Sequence, residues 1–265
     1  MEFDSDAVDQ NAEGVADQGS GKREFLDTQI ISYALKGKID VPAVEGRLIA
    51  SATAHELLRT WDKEEGDVAY YIPVPSIGIR ELASSRPKHH PPRKQSTDLL
   101  PLYLGENELS VVEYGHLAIS LLINSQEVDL LLYCTRHLDK HRRDVALRYF
   151  EFLTQHSIRC IAATSKVVPD VVELFRKFRA RFSPKGDFRN TLNDILVLAT
   201  ALNVGAPLLT RDGVLNRFAS EYYGTPLIAM ADYVKIDFGH TSARRRISRD
   251  SKGYINRPWR SKLIE

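Results

Sequence analysis

At 265 residues with 43% hydrophobic side chains, the chain can bury a sizeable core, as one large domain or as one domain with tails and an insertion. No apolar run approaches the roughly 18 residues of a membrane span, and the opening MEFDSDAVDQNAEGVADQ is acidic where a secretory signal is basic and then apolar, so a soluble cytoplasmic protein is expected. Cys134 and Cys160 lack CxxC spacing, which argues against a disulfide framework or a thiolate zinc site and for ordinary buried thiols.

The net charge of +1 conceals a strong asymmetry. Residues 1–20 carry six acids and no base, and a disordered acidic leader is expected over 1–22. Residues 241–265 carry eight Lys or Arg against Asp250 and Glu265, a balance of +6 (8 − 2). Interleaved with Tyr254 and Trp259, this tail can contact phosphates and stack on bases, or it can stay solvated or dock on a partner protein; composition leaves these open.

In chain order, REFLDTQIISYALKG begins with a short apolar strand at Phe25 and Leu26, passes Asp27, and continues at helical spacing through Ile30, Ile31, Ala34 and Leu35 to Gly37. GRLIASATAHELLRTW repeats the scheme, with a β-like RLIAS leading into Thr53 and a helix through Glu56, Leu57, Leu58 and Trp61, which places Glu56 in a first helical turn. From 62 to about 137 the character changes. A strand interrupted by Pro73 and Pro75, a Pro-rich loop holding Arg86, Lys88, His89, His90, Arg93 and Lys94, and one long apolar helical stretch through HLAISLLINSQEVDLLLYCTRHL read as an insertion. Regularity returns with the amphipathic DKHRRDVALRYFEFLTQH, the β-like IRCIAATS, and PDVVELFRKFRARF, where Pro169 suits a first helical position. A helix over 193–203, a strand over 206–210 and TPLIAMADY as a last strand complete a domain of 23–240. Strands alternating with helices predict an α/β/α sandwich with a mainly parallel central sheet.

Asp27, Glu56, Asp194 and Asp212 fall at strand-to-helix junctions or helix starts. Each has an ordinary explanation: Asp27 as a helix cap, Thr53 to Glu56 as a capping box, Thr191 to Asp194 as a looser one, and Asp212-Gly213 as a turn. Together they pose a different problem. The strands of a parallel sheet end at one edge, where ligands bind, and carboxylates gathered there repel one another unless a cation neutralises them. All-oxygen donors suit Mg²⁺ or Mn²⁺, and such a centre serves phosphodiester hydrolysis.

FLDTQIISYAL, SATAHELL and NDILVLATALNVGAPLLTRDGVLNRF resemble, in order, the three acidic motifs of PIN-domain ribonucleases, the last matching the toxin-type (VapC-like) pattern over nearly its whole length. The resemblance spans about 24–61 and 138–235. It implies a PIN-like fold and assigns catalytic and metal-binding roles to Asp27, Glu56, Asp194 and Asp212, with Thr28 and Thr210 as supporting positions; Asn216, one helical turn beyond Asp212, either hydrogen-bonds a metal-bound water or is a surface Asn. It further implies products with a 5′-phosphate and a 3′-hydroxyl. Toxin-type chains are about half this length and lack the 62–137 segment, so the resemblance leaves toxin role, dimer surface and substrate open.

His55 is directed away from Glu56 on a helix and reads as packing or surface. His137 and His141 form an i, i+4 pair, but no third ligand is evident, and Arg136, Lys140, Arg142 and Arg143 oppose a cation. Those bases, with Arg176, Lys177, Arg179, Arg181, Lys185 and Arg189, suggest either a phosphate-binding surface or solvated helix faces. The expectation is a Mg²⁺- or Mn²⁺-dependent endoribonuclease, possible roles being a toxin with an antitoxin partner or a defence nuclease. The alternatives are a DNA nuclease, or a PIN-like assembly protein with an idle site that binds protein partners through the insertion and tails. A homo-oligomer is compatible with any of these.

Overall fold

A computed structural model describes residues 23–40, 43–62, 68–70, 72, 74, 100–104, 109–112, 115–182, 188–223, 227–229 and 233–238. The leader at 1–22, the Pro-rich basic loop, Lys185 and the tail at 241–265 lie outside the described residues, together with the expectations placed on them.

The centre is β1, only Phe25–Leu26, followed by helix α1 (Thr28–Leu35). So short a strand survives because it is sandwiched. Strand β2 (Leu48–Ala50) pairs with it in parallel on one side and β8 (Leu208–Thr210) in parallel on the other. Strand β7 (Arg159–Ile161) extends the sheet in parallel beyond β2. Beyond β8 lies β10 (Val234–Ile236), antiparallel to it and to β9 (Leu227–Ala229). The order is β7-β2-β1-β8-β10-β9. TPLIAMADY does supply a strand, β9, but not the last one; the missed β10 inserts between β9 and β8, and its Val-Lys-Ile is too short to register by periodicity. Two small antiparallel pairs stand apart, β3 (Thr60–Asp62) with β4 (Val68–Tyr70) and β5 (Leu100–Tyr103) with β6 (Leu109–Val112).

Alternation along these strands builds the layers. Phe25, Leu48, Ala50, Leu208 and Ile236 point to one face, covered by α6 (Val168–Arg181), α7 (Phe188–Val204) and α8 (Gly213–Tyr223). Leu26, Ile49, Cys160 and Leu209 point to the other, covered by α1, α2 (Ser51–Leu58), α3 (His116–Asn124), α4 (Val128–Thr135) and α5 (Lys140–Gln155). The result is the expected α/β/α sandwich with a mainly parallel sheet. Phe25 and Leu26 are fully buried, and truncating either to Ala is expected to cost about 3 kcal/mol.

Within the stretch read as an insertion, α3 and α4 belong to this second core, through Ile119, Leu122, Leu130 and Leu131. They are two helices rather than one, separated at Gln126, whose φ of 56° takes the chain out of helical geometry. The cysteines behave as expected: Cys134 and Cys160 are free and buried, and burial pushes both thiols up to about 12. Among the described residues, no helix is long and apolar enough to cross a membrane.

Candidate active site

Strands β1, β2 and β8 run parallel, so their C-terminal ends share one edge of the sheet. At that edge the Asp27 N–H continues the ladder to the Leu209 carbonyl at 3.0 Å, which fixes the carboxyl where β1 ends and α1 begins. Its Oδ1 accepts from the Thr28 N–H at 2.7 Å, an N-cap, while Oδ2 accepts from Thr210 Oγ1 at 2.6 Å. Asp27 is thus a cap, as a plain reading expects, and a cross-chain contact as well.

Thr210 links two acids. Fully buried, its hydroxyl donates to Asp27 and accepts from the Asp212 N–H at 3.0 Å. Asp212 Oδ1 then accepts from Val214 N and Leu215 N at 2.7 and 3.0 Å, so the residue caps α8 rather than forming a free turn with Gly213. Thr28 makes the corresponding link on the other side, its hydroxyl donating to Glu56 Oε2. Glu56 Oε1 accepts from Asn193 Nδ2 at 3.1 Å. Two hydroxyls and one amide therefore hold the Asp27 and Glu56 carboxyls, and backbone N–H groups at the start of α8 hold that of Asp212.

Their electrostatics are mutually unfavourable. Burial pushes the Asp27 carboxyl up from its ordinary 3.8 to about 6; the Thr210 and Thr28 hydrogen bonds oppose this, while the negative charges of Glu56 and Asp212 add to it. The cap on α1 and the Thr210 hydrogen bond offset only part of what it costs to keep a 5% exposed carboxyl beside two others.

Two local expectations need correction. Helix α2 starts at Ser51 with Ala50 at its N-cap and no side-chain cap, so Thr53 to Glu56 is not a capping box; Thr53 lies inside the helix and Glu56 in its second turn. The helix carrying Asp194 begins at Phe188, not 193, so Asp194 is the seventh helical residue and neither it nor Thr191 is a cap. The cause is the same in both cases. Capping-box patterns recur by chance inside helices, and at Ser51 the true start has Ala50 in place of a usual cap residue.

Asp27, Glu56 and Asp212 are brought together; Asp194 is half-buried on α7 beside Asn193, whose side-chain amide reaches Glu56. Asn193 was not singled out as a functional residue by sequence reading. Its signal was its place within NDILVLATAL, one residue before the expected ligand. Asn216 is buried one turn beyond Asp212; its N–H donates to the Asp212 carbonyl at 2.9 Å, and its Oδ1 has no hydrogen-bond partner among the described residues. Among the described residues, no group of three or more His, Cys, Asp or Glu side chains is gathered as a ready metal cage. The donor chemistry nevertheless fits a hard divalent cation: carboxyl oxygens, one strongly desolvated, beside an orphaned amide oxygen.

The histidines lie apart from this chemistry. His55 is buried, its ring edge-on to His116 with centroids 5.7 Å apart, and burial pushes it down to about 4. His116 Nδ1 meets Ser51 Oγ at 2.8 Å, and Ser51 Oγ accepts from Ala163 N at 2.9 Å, which ties α3, α2 and the end of β7 together. His137 and His141 are exposed. Comparison with known proteins finds no matching family model, no matching curated protein and no matching solved structure.

Proposed function

We propose that this protein is a PIN-type, metal-dependent endonuclease that hydrolyses phosphodiester bonds, with RNA as the favoured substrate. One observation carries the reading: Asp27, Glu56 and Asp212 are held together at the C-terminal edge of parallel strands, at an electrostatic disadvantage that a divalent cation would relieve. The order of the three acidic motifs along the sequence supports it.

In this reading Asp27 and Asp212 hold Mg²⁺ or Mn²⁺, with Asp194 completing the site from α7 and the Asn216 amide orienting water near it. When bound, the metal supplies positive charge for the phosphoryl oxygens and lowers the pKa of water. Glu56, fixed by Thr28 and Asn193, orients the attacking water and receives its proton. Thr210 keeps the Asp27 carboxyl facing the site while Asp212 stays anchored to the α8 N-terminus. The exposed Arg176, Arg179 and Arg181 of α6 are candidates for backbone contacts, with affinity falling as salt rises.

The test is incubation of the full chain with single-stranded RNA, structured RNA, and single- and double-stranded DNA, in Mg²⁺, Mn²⁺ or EDTA, beside Asp27→Asn. The reading expects cleavage of RNA with Mg²⁺ or Mn²⁺ and none with EDTA or the variant. Cleavage of DNA alone would reassign the substrate; cleavage indifferent to EDTA and to Asp27→Asn would remove the metal-nuclease reading.

A further inference from the structure

Arg211 stands between Thr210 and Asp212, two residues of the acidic centre, yet among the described residues it forms no ion pair with a carboxylate. Its guanidinium instead lies over the ring of Tyr33 on α1, 4.5 Å from the centroid. Lys38 Nζ approaches the same ring, at 5.3 Å. The local backbone fixes both. Arg211 is held from either side by the Thr210 and Asp212 hydrogen bonds. Beyond α1, Gly37 takes a φ of 66°, and the Lys38 N–H folds back onto the Tyr33 carbonyl at 2.8 Å.

Two exposed cations thus converge on one half-buried ring, and among the described residues neither has a carboxylate partner. Elsewhere Arg47, Arg142, Lys177, Arg181 and Lys235 each meet a carboxylate. A ring face orients a guanidinium without neutralising it, so its N–H edge keeps its full capacity for an anion. Tyr33 lies six residues along α1 from Asp27, a rise of about 9 Å, too far to serve the reacting group and near enough for a neighbouring phosphate.

We propose that Arg211 and Lys38, positioned by Tyr33, form a subsite for a phosphate of the polynucleotide strand adjacent to the one cleaved. This rests on the nuclease reading above. Tyr33 is a positioning residue, and the two cations contact the strand.

The test measures binding of a fluorescent 12-nucleotide single-stranded RNA, and of DNA of the same sequence, to the full chain by anisotropy over a salt series, with Ca²⁺ replacing Mg²⁺. Arg211→Gln is expected to weaken RNA binding about tenfold and to reduce the slope of log affinity against log salt by about 0.7. Adding Lys38→Gln should reduce the slope by about as much again. Tyr33→Phe keeps the ring and should bind as wild type, whereas Tyr33→Leu should weaken binding towards Arg211→Gln without lowering the melting temperature to match. Equal effects on RNA and DNA place recognition in the phosphate alone; loss confined to RNA adds a ribose contact to the subsite. If wild type binds and cuts RNA while Arg211→Gln keeps the wild-type affinity and slope, the subsite is wrong and the nuclease reading stands. If wild type neither binds nor cuts any strand, both fall.

Discussion

Thr210 donates its hydroxyl proton to Asp27 across 183 positions of sequence, at 2.6 Å and out of contact with solvent. Because the same oxygen accepts from the Asp212 N–H, one hydroxyl sets the spacing of two acids that repel each other. Thr210→Val keeps the shape and removes both bonds, leaving a buried carboxyl oxygen and a buried N–H without this partner. Stability should fall by about 2 kcal/mol, and the Asp27 carboxyl should rise above about 6 because a bond favouring its charged form is lost. Thr210→Ser should restore both. Urea melts and an activity–pH profile check this.

Asp27 makes metal-free stability depend on pH. Its folded value, about 6, lies above its ordinary 3.8, so the unfolded chain releases the proton first. Below 3.8 there is no penalty; it grows as pH rises from 3.8 to about 6 and is complete above that, at about 3 kcal/mol. Asp27→Asn should therefore raise the melting temperature at pH 7.5 in EDTA and flatten the pH dependence. A lower melting temperature for the variant under those conditions would mean that the charge is already compensated. Metal binding competes with the same proton, so metal-dependent activity should rise through about pH 6.

Glu56 is held by Thr28 and Asn193 in a manner suited to directing a water. Glu56→Gln should lower kcat by about 10² to 10⁴ while changing metal affinity little. A parallel collapse of metal affinity would make Glu56 a ligand instead. Single-turnover cleavage beside metal titration separates the two.

The opposite end of β1 provides a control. Glu24, just before Phe25, pairs with Lys235 at 2.6 Å and with Arg47, and all three side chains are largely shielded. Glu24→Ala takes a largely shielded carboxylate away from Lys235 and Arg47 and should cost about 3 kcal/mol, with metal affinity and kcat per folded molecule unchanged. A loss of metal binding in this variant would show that sheet register and site are coupled.

Much of this was legible in the sequence, where periodicity was strong. Phe25-Leu26 followed by Asp27, and Leu208 to Thr210 followed by Asp212, were readable because an apolar strand and a polar junction residue adjoin. The helix starts at Ser51 and Phe188 were not: Ala50 offers no side-chain cap before Ser51, while Thr53 and Thr191, inside the two helices, imitate one. Asn193 and Arg211 were passed over for a different reason. What they do depends on Glu56 and Tyr33, which lie far from them in sequence and are brought near only by the folded sheet.

The central claim, that the gathered acids form a divalent-cation site, is tested most directly by calorimetric titration of Mn²⁺ into the full chain at pH 7.5, beside Asp212→Asn. The account predicts saturable binding to the wild type, with proton release that increases towards pH 6, and a weakening of at least about tenfold in the variant. No saturable binding to the wild type, or binding of equal strength to Asp212→Asn, would contradict it.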